Sequence, residues 1–162
     1  QPKVRSLDLA ALEKVINAAA AGRITANRLL WVERPRVAEL KETVCDKTYR
    51  IDINFDQSVE IERLKKGVQR LTGKVVEQRT PTRVSHRRAD LVRSRRVESM
   101  KLLSAGATSA ELEIRAQHGT YIRELVSGDG GRTSPCLATL IGTECQVEVL
   151  DVLHIHLEDS KT

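Results

Sequence analysis

A chain of 162 residues with 40% apolar content is long enough to bury a core and too apolar for a disordered polymer. Its net charge of +5 and pI near 9.3 favour an anionic partner. Three cysteines without a CxxC pair argue against a disulfide framework or a zinc site and fit a reducing compartment, and no apolar run approaches the roughly 18 residues of a membrane span.

The elements follow in chain order. Ser6 precedes Leu9, Leu12, Val15, Ile16 and Ala19 at helical spacing, with Gly22 behind, so a first capped helix is expected there. Residues 28–33 predict a short strand, and Pro35 opens a second helix carrying Val37, Leu40 and Val44. From Thr48 to Phe55 the period becomes two: Tyr49, Ile51, Ile53 and Phe55 share one face, and Arg50, Asp52 and Asn54 the other. A third helix is predicted from Ser58 to Thr72, with Ile61, Leu64, Val68 and Leu71 inward and Gly73 as its stop.

Residues 74–78 predict another strand. The basic segment that follows has little periodicity before Val97 and reads as a long loop returning to a strand. Residues 108–117 alternate again. The stretch Gln117 to Thr133 then places a helical turn with Tyr121, Ile122 and Arg123 between two glycine turns, ending on Arg132 and Thr133. Residues 145–157 predict a final strand with a bulge at Asp151. The fold class is α+β: a mixed, mostly antiparallel sheet with helices packed on one face. One domain over residues 1–162 is expected.

Three features bear on function. "GDGGRTS" suggests a phosphate loop, but five positions before Gly131 stands Val126, and Arg132 takes the lysine position. Residues 74–96 carry eight basic residues against Glu77 and Asp90, which is more than the whole surplus of the chain. Arg79, Arg83, Arg87, Arg88, Arg93, Arg95 and Arg96 are all arginine, the side chain whose fork of donors matches phosphate. Composition leaves open a nucleic acid, a solvated loop or an acidic protein partner. Tyr49, at the entrance of its strand, suits core packing and also the stacking of a flipped base. His154 and His156 alternate without a third ligand nearby, so no metal is expected.

Taken together, "VCDKTYRIDI", "EQRTPTRVSHRRADLVRSRRV", "GTYIRELVSGDGGRTSPCLATLIG" and "VEVLDVLHI" resemble the carboxy-terminal part of the archaeal and eukaryotic tRNA pseudouridine synthases that modify positions 54 and 55. The resemblance runs over essentially the whole chain and implies a pseudouridine synthase fold acting on tRNA without a cofactor. It implies that Tyr49 stacks on the target uracil, that Arg123 pairs with the catalytic aspartate, and that Leu140 lines the uracil pocket. Residues 78–96 resemble the thumb-like loop that grips the tRNA arm, which implicates Arg79, Arg83, His86, Arg87, Arg88, Arg93, Arg95 and Arg96, together with Arg132.

One departure is serious. The family's nucleophile lies in a "GREDxDVR"-like segment, and Asp8, Asp46, Asp52, Asp56, Asp90, Asp129, Asp151 and Asp159 all lack those neighbours. The resemblance therefore implies a fragment without the nucleophile segment and the amino-terminal RNA-binding domain, inactive by itself. A non-catalytic RNA-binding protein derived from the fold is the alternative, and a module binding an acidic protein is a third. A cytoplasmic setting is expected, or a nuclear or organellar one in a eukaryote.

Overall fold

A computed structural model describes residues 7–156, leaving out the side chains of residues 40–42. The chain divides into two compact units, residues 1–43 and 44–162.

The first unit holds two helices, α1 (Leu9–Ala20) and α2 (Arg34–Glu42). Asp8 caps α1, its Oδ1 accepting from the backbone of Ala10 and Ala11 at 2.9 and 3.2 Å. Ser6, expected in that role, and the side chain of Leu40 lie outside the described residues. Ala21 ends α1 in the left-handed region, followed by Gly22. Pro35 stands in the first turn of α2, as its missing N–H allows. No strand forms over residues 28–33. That segment is held instead by side chains of α1: Glu13 accepts from Leu29 N at 2.6 Å, and Asn17 bonds Ala26 in both directions. An apolar run makes a strand only beside a partner strand, and none is described in this unit. Val15, Ile24, Leu30 and Trp31 remain exposed, because about forty residues cannot enclose a core of their own.

The second unit is built on a six-stranded sheet: β1 (Asp46–Phe55), β2 (Val75–Arg79), β3 (Val92–Ala105), β4 (Ser109–Ala116), β5 (Thr133–Ser134) and β6 (Cys145–His156). The order is β5-β2-β3-β4-β1-β6, and every pairing is antiparallel. In the centre, Ile51 of β1 stands opposite Leu112 of β4 on one side and Leu150 of β6 on the other. One sheet face is apolar: Ile51, Ile53 and Phe55 of β1 and Ala110, Leu112, Ile114 and Ala116 of β4 are all buried. The other face carries cross-strand ion pairs, Arg50 with Glu111, Lys101 with Glu113 and Arg115 with Asp46.

Three helices contribute to the core on the apolar face. In α3 (Ile61–Leu71), Leu64, Gly67, Val68 and Leu71 form its buried stripe. Ile61, expected inward, is half exposed at the first residue of the helix. The side chain of Thr72 bonds both the N–H and the carbonyl of Met100 on β3, which ties the end of α3 to the sheet. The short helices α4 (Ile122–Ser127) and α5 (Leu137–Ile141) bury Leu125, Val126, Leu137 and Ile141.

Two boundaries differ from expectation. The long loop shrinks to residues 80–91, with a 3-10 turn at Thr82–Arg87, because β3 begins at Val92 and carries Arg93, Arg95 and Arg96 in register with β2. The hydrogen-bond ladder to β2 holds that stretch extended without hydrophobic alternation. Asp151 pairs regularly with Arg50, and the irregularities of β6 fall on either side, between the partners of Thr48 and Tyr49 and between those of Asp52 and Ile53.

Candidate active site and nucleic-acid interface

Tyr49 lies on β1 between Ile114 of β4 and Val152 of β6. Its ring is half-buried and packs against the core. Burial, with Cys45 nearby, raises its phenol above the ordinary value, so the hydroxyl keeps its proton at neutral pH.

Arg123 follows the N-terminal residue of α4. Its neighbours Ile122 and Glu124 are buried while Arg123 itself is exposed. Its Nη1 donates to the carbonyl of Val147 on β6 at 2.5 Å. Val147 pairs with Ile53, four residues along β1 from Tyr49, about 13 Å at ~3.3 Å per residue. Tyr49 and the Val147 carbonyl that Arg123 reaches therefore stand at two points of the β1–β6 ladder, with the fully buried Ile51 between them on β1. Among the described residues Arg123 has no carboxylate partner. Leu140 is half-buried on α5 and stands against α3: a Cβ built on Gly67 would lie 3.7 Å from the Leu140 Cβ. No hydrogen bond joins any two of these three residues among those described.

The start of α4 is held from the basic segment. Gln78 is fully buried, and its amide bonds the backbone of Tyr121 twice, accepting from Tyr121 N at 2.8 Å and donating to Tyr121 O at 2.9 Å. Glu124 is also buried, and Arg83 reaches it with Nε at 2.7 Å from Oε1. The Arg83 guanidinium also stands 5.9 Å from the centre of the Tyr121 ring, and Arg88 Nη1 donates to the Tyr121 hydroxyl at 3.3 Å. Tyr121 thus faces the loop. Gln78 and Glu124 were not singled out from the sequence. Their signal was faint: a glutamate inside "GTYIRE", and a glutamine inward-facing by strand alternation.

The arginines expected to grip RNA are differently engaged. Arg79 and Arg132 converge on Asp90, at 2.5 and 2.7 Å, and Arg132 also donates to Thr80 O. Hydrogen bonding from Arg79 is the largest cause that holds the Asp90 carboxyl below its ordinary range. Arg83 pairs with Glu124 and Arg96 with Glu98. Arg93 donates to Thr80 Oγ1, and Arg95 to Ser94 O. Arg95 packs beneath Gly119, whose φ of +77° and closeness to the guanidinium leave little room for a side chain. His86, Arg87 and Arg88 are exposed, and among the described residues no acid pairs with them.

Clefts of about 530 and 600 Å³ flank the turn at Gly128–Arg132, and neither includes Tyr49, Arg123 or Leu140. Among the described residues no group of three or more His, Cys, Asp or Glu could hold a metal ion. The rings of His154 and His156 meet edge-on at 4.5 Å, and His156 Nε2 shares a hydrogen bond with Thr48 Oγ1 at 2.8 Å.

Comparison with known proteins bears on the family and the fold. The family model "Pus10, C-terminal" matches residues 1–156. The tRNA pseudouridine synthase Pus10 of Methanothrix thermoacetophila is 44% identical over 155 residues, 96% of this chain and 34% of that protein. The Archaeoglobus fulgidus enzyme of the same name is 41% identical over 96% of this chain and 43% of its own length. Among solved structures, a Cbf5-Nop10-Gar1 complex matches with a TM-score of 0.59 and 19% identity, covering 72% of this chain and 33% of the other. An H/ACA RNP bound to a substrate RNA containing 2'-deoxyuridine matches with a TM-score of 0.56 and 15% identity over 79% of this chain and 34% of the other. These two show the fold alone. The chain spans between a third and a half of the length of these two Pus10 relatives, and it belongs to the Pus10 carboxy-terminal family.

Proposed function

We propose that residues 1–162 are the carboxy-terminal part of the catalytic domain of a tRNA pseudouridine synthase acting in the T arm, at position 54 or 55. The amino-terminal RNA-binding domain and the aspartate segment belong to the rest of the parent chain. One observation carries the reading: an exposed arginine without a carboxylate partner among the described residues, bonded to the β6 strand that also flanks the half-buried Tyr49, in a chain of this family.

The target uridine leaves the stack of the tRNA, a cost of a few kcal/mol, and its uracil lies against Tyr49, with Leu140 among the apolar walls. An aspartate from the upstream segment bonds the ribose C1′ as the N-glycosidic bond breaks; the detached uracil then bonds C1′ through its C5, which releases the aspartate, and the C5 proton is lost as N1 gains one. Arg123 keeps that carboxylate ionised, since a cation alongside offsets the cost of a charge partly shielded from water. No cofactor enters this scheme. The loop of residues 80–91, with the exposed Arg87 and Arg88, provides phosphate contacts. Three free, buried cysteines suit a reducing, cytoplasmic setting. Among the described residues no helix is long and apolar enough to cross a membrane.

The test is Arg123→Met in the parent chain, with single-turnover pseudouridine formation measured beside tRNA filter binding. Turnover is expected to vanish, because a carboxylate that loses its cation holds its proton and a carboxylic acid is a poor nucleophile, while tRNA affinity stays within a few fold. Near-normal turnover would show that Arg123 does not face the nucleophile. A parent chain that binds tRNA and forms no pseudouridine would favour the non-catalytic binder instead.

A further inference from the structure

The first turn of α4 has two sides. Arg123 projects from the open side. The opposite side is held by residues from β2 and from the loop of residues 80–91. The Gln78 amide copies a peptide group: its two bonds, at 2.8 and 2.9 Å, satisfy both the N–H and the carbonyl of Tyr121, as a neighbouring strand would. Gln78 has no solvent exposure, so its orientation is fixed by packing. One residue beyond Arg123, the Glu124 side chain is only 7% exposed, and its one charged partner among the described residues is Arg83 of the loop. A carboxylate so buried needs that partner, and the second contact, from Arg83 Nη2 to Oε2 at 3.4 Å, orients the fork. Arg123 therefore sits between two residues that are each held from the loop side.

We propose that the arginine-rich segment positions the catalytic arginine, Gln78 through the Tyr121 backbone and Arg83 through Glu124, so that Arg123 meets its carboxylate at a set angle only while the loop is seated. This inference rests on the functional reading above. It gives Arg83 a role apart from gripping RNA: its guanidinium is committed to Glu124 and to the face of Tyr121. RNA that draws the loop toward or away from α4 would act on the chemical step without touching the uracil.

The experiment uses the full-length parent chain with Gln78→Met, Arg83→Met, Arg83→Lys and the double variant Arg83→Met/Glu124→Gln. Single-turnover rates at saturating tRNA are measured beside tRNA Kd and Tm. Gln78→Met and Arg83→Met are expected to slow the chemical step by about tenfold or more, since small misplacements of a catalytic group carry such costs, with Kd within about threefold. Arg83→Lys, which keeps a cation on Glu124, should recover much of the rate. In the double variant no charge is stranded, so Tm should return while the rate stays low. If rate returns together with Tm, the pair is merely structural and the inference is overturned. Unchanged rates in the single variants overturn it too, as does a loss confined to Kd, which would make Arg83 an RNA contact. An inactive wild type overturns the functional reading and this inference with it; an active wild type beside unaffected variants overturns this inference alone.

Discussion

Asp90 shows how one carboxylate can organise a cationic loop. Arg79 and Arg132 both end on it, which links β2, the loop and the glycine turn at residues 128–131. Its folded pKa is depressed, so the stabilisation is present above the ordinary carboxylate range and is lost as pH falls through the lowered value. The Asp90 carboxyl, followed by NMR, is expected to titrate below the usual ~3.9, and to move up toward it in Arg79→Gln. A midpoint at the ordinary value would remove the cluster as an anchor. Arg87 and Arg88 present the opposite case. They are exposed and no acid pairs with them among the described residues; Arg88 gives one donor to the Tyr121 hydroxyl, and neither charge is neutralised, so both can meet phosphate. Replacing both with Gln should lower the salt slope of tRNA binding by about 0.9 for each phosphate that is no longer neutralised. Replacing Arg79 should leave the slope close to the wild-type value, because its charge is already neutralised by Asp90. Equal effects from the two replacements would mean that the Asp90 pairing opens when RNA binds.

At the scale of elements, α3 and α5 approach closely at Gly67. A Cβ on Gly67 would stand 2.8 Å from Ile141 Cγ2 and 3.2 Å from Leu137 Cδ1. Propensity alone would favour Gly67→Ala by about 1 kcal/mol. Overpacking a tight contact typically costs about 1–3 kcal/mol, so the variant is expected to unfold at lower temperature than the wild type. A higher Tm would show that α5 can move away. Since Leu140 lies beside the same contact, a shift of α5 would also displace the proposed uracil wall. The local logic of α3 was plain in the sequence, where Leu64, Val68 and Leu71 mark the buried stripe. The glycine within it carried no signal of the neighbour it accommodates.

For the whole molecule, the informative feature is the edge of the sheet. Among the described residues β6 pairs with β1 on one side only, and Val149, Val152, Leu153 and Ile155 are exposed along it. A twelve-residue edge strand with apolar side chains invites pairing with another chain. Residues 1–162 alone are therefore expected to self-associate as concentration rises in analytical ultracentrifugation, and to form no pseudouridine from a tRNA substrate. Leu153→Lys with Ile155→Lys should reduce the association. A parent chain whose upstream residues pair with β6 should not show it. A monodisperse monomer at high concentration would argue that the edge is not a docking surface, and pseudouridine formed by this chain would mean that one of its own aspartates serves.

The sequence by itself determined the α+β class, the alternation of β1 and β4, the stripe of α3, the concentration of arginine in one segment and the "GTYIRE" helix start. Each is a local property: side-chain period, capping and turn chemistry act within about ten residues. Only the tertiary structure decided the rest. Residues 28–33 have strand-like composition but no strand beside them, whereas Arg93, Arg95 and Arg96 lack alternation and still lie in a strand, because β2 supplies the ladder. The sequence located the arginines but not their partners. Asp90 takes two of them and Glu124 a third, and which carboxylate meets which guanidinium depends on contacts between residues up to 42 positions apart. Charge is written in the chain, but its availability to RNA is settled only when folding brings the acids into reach.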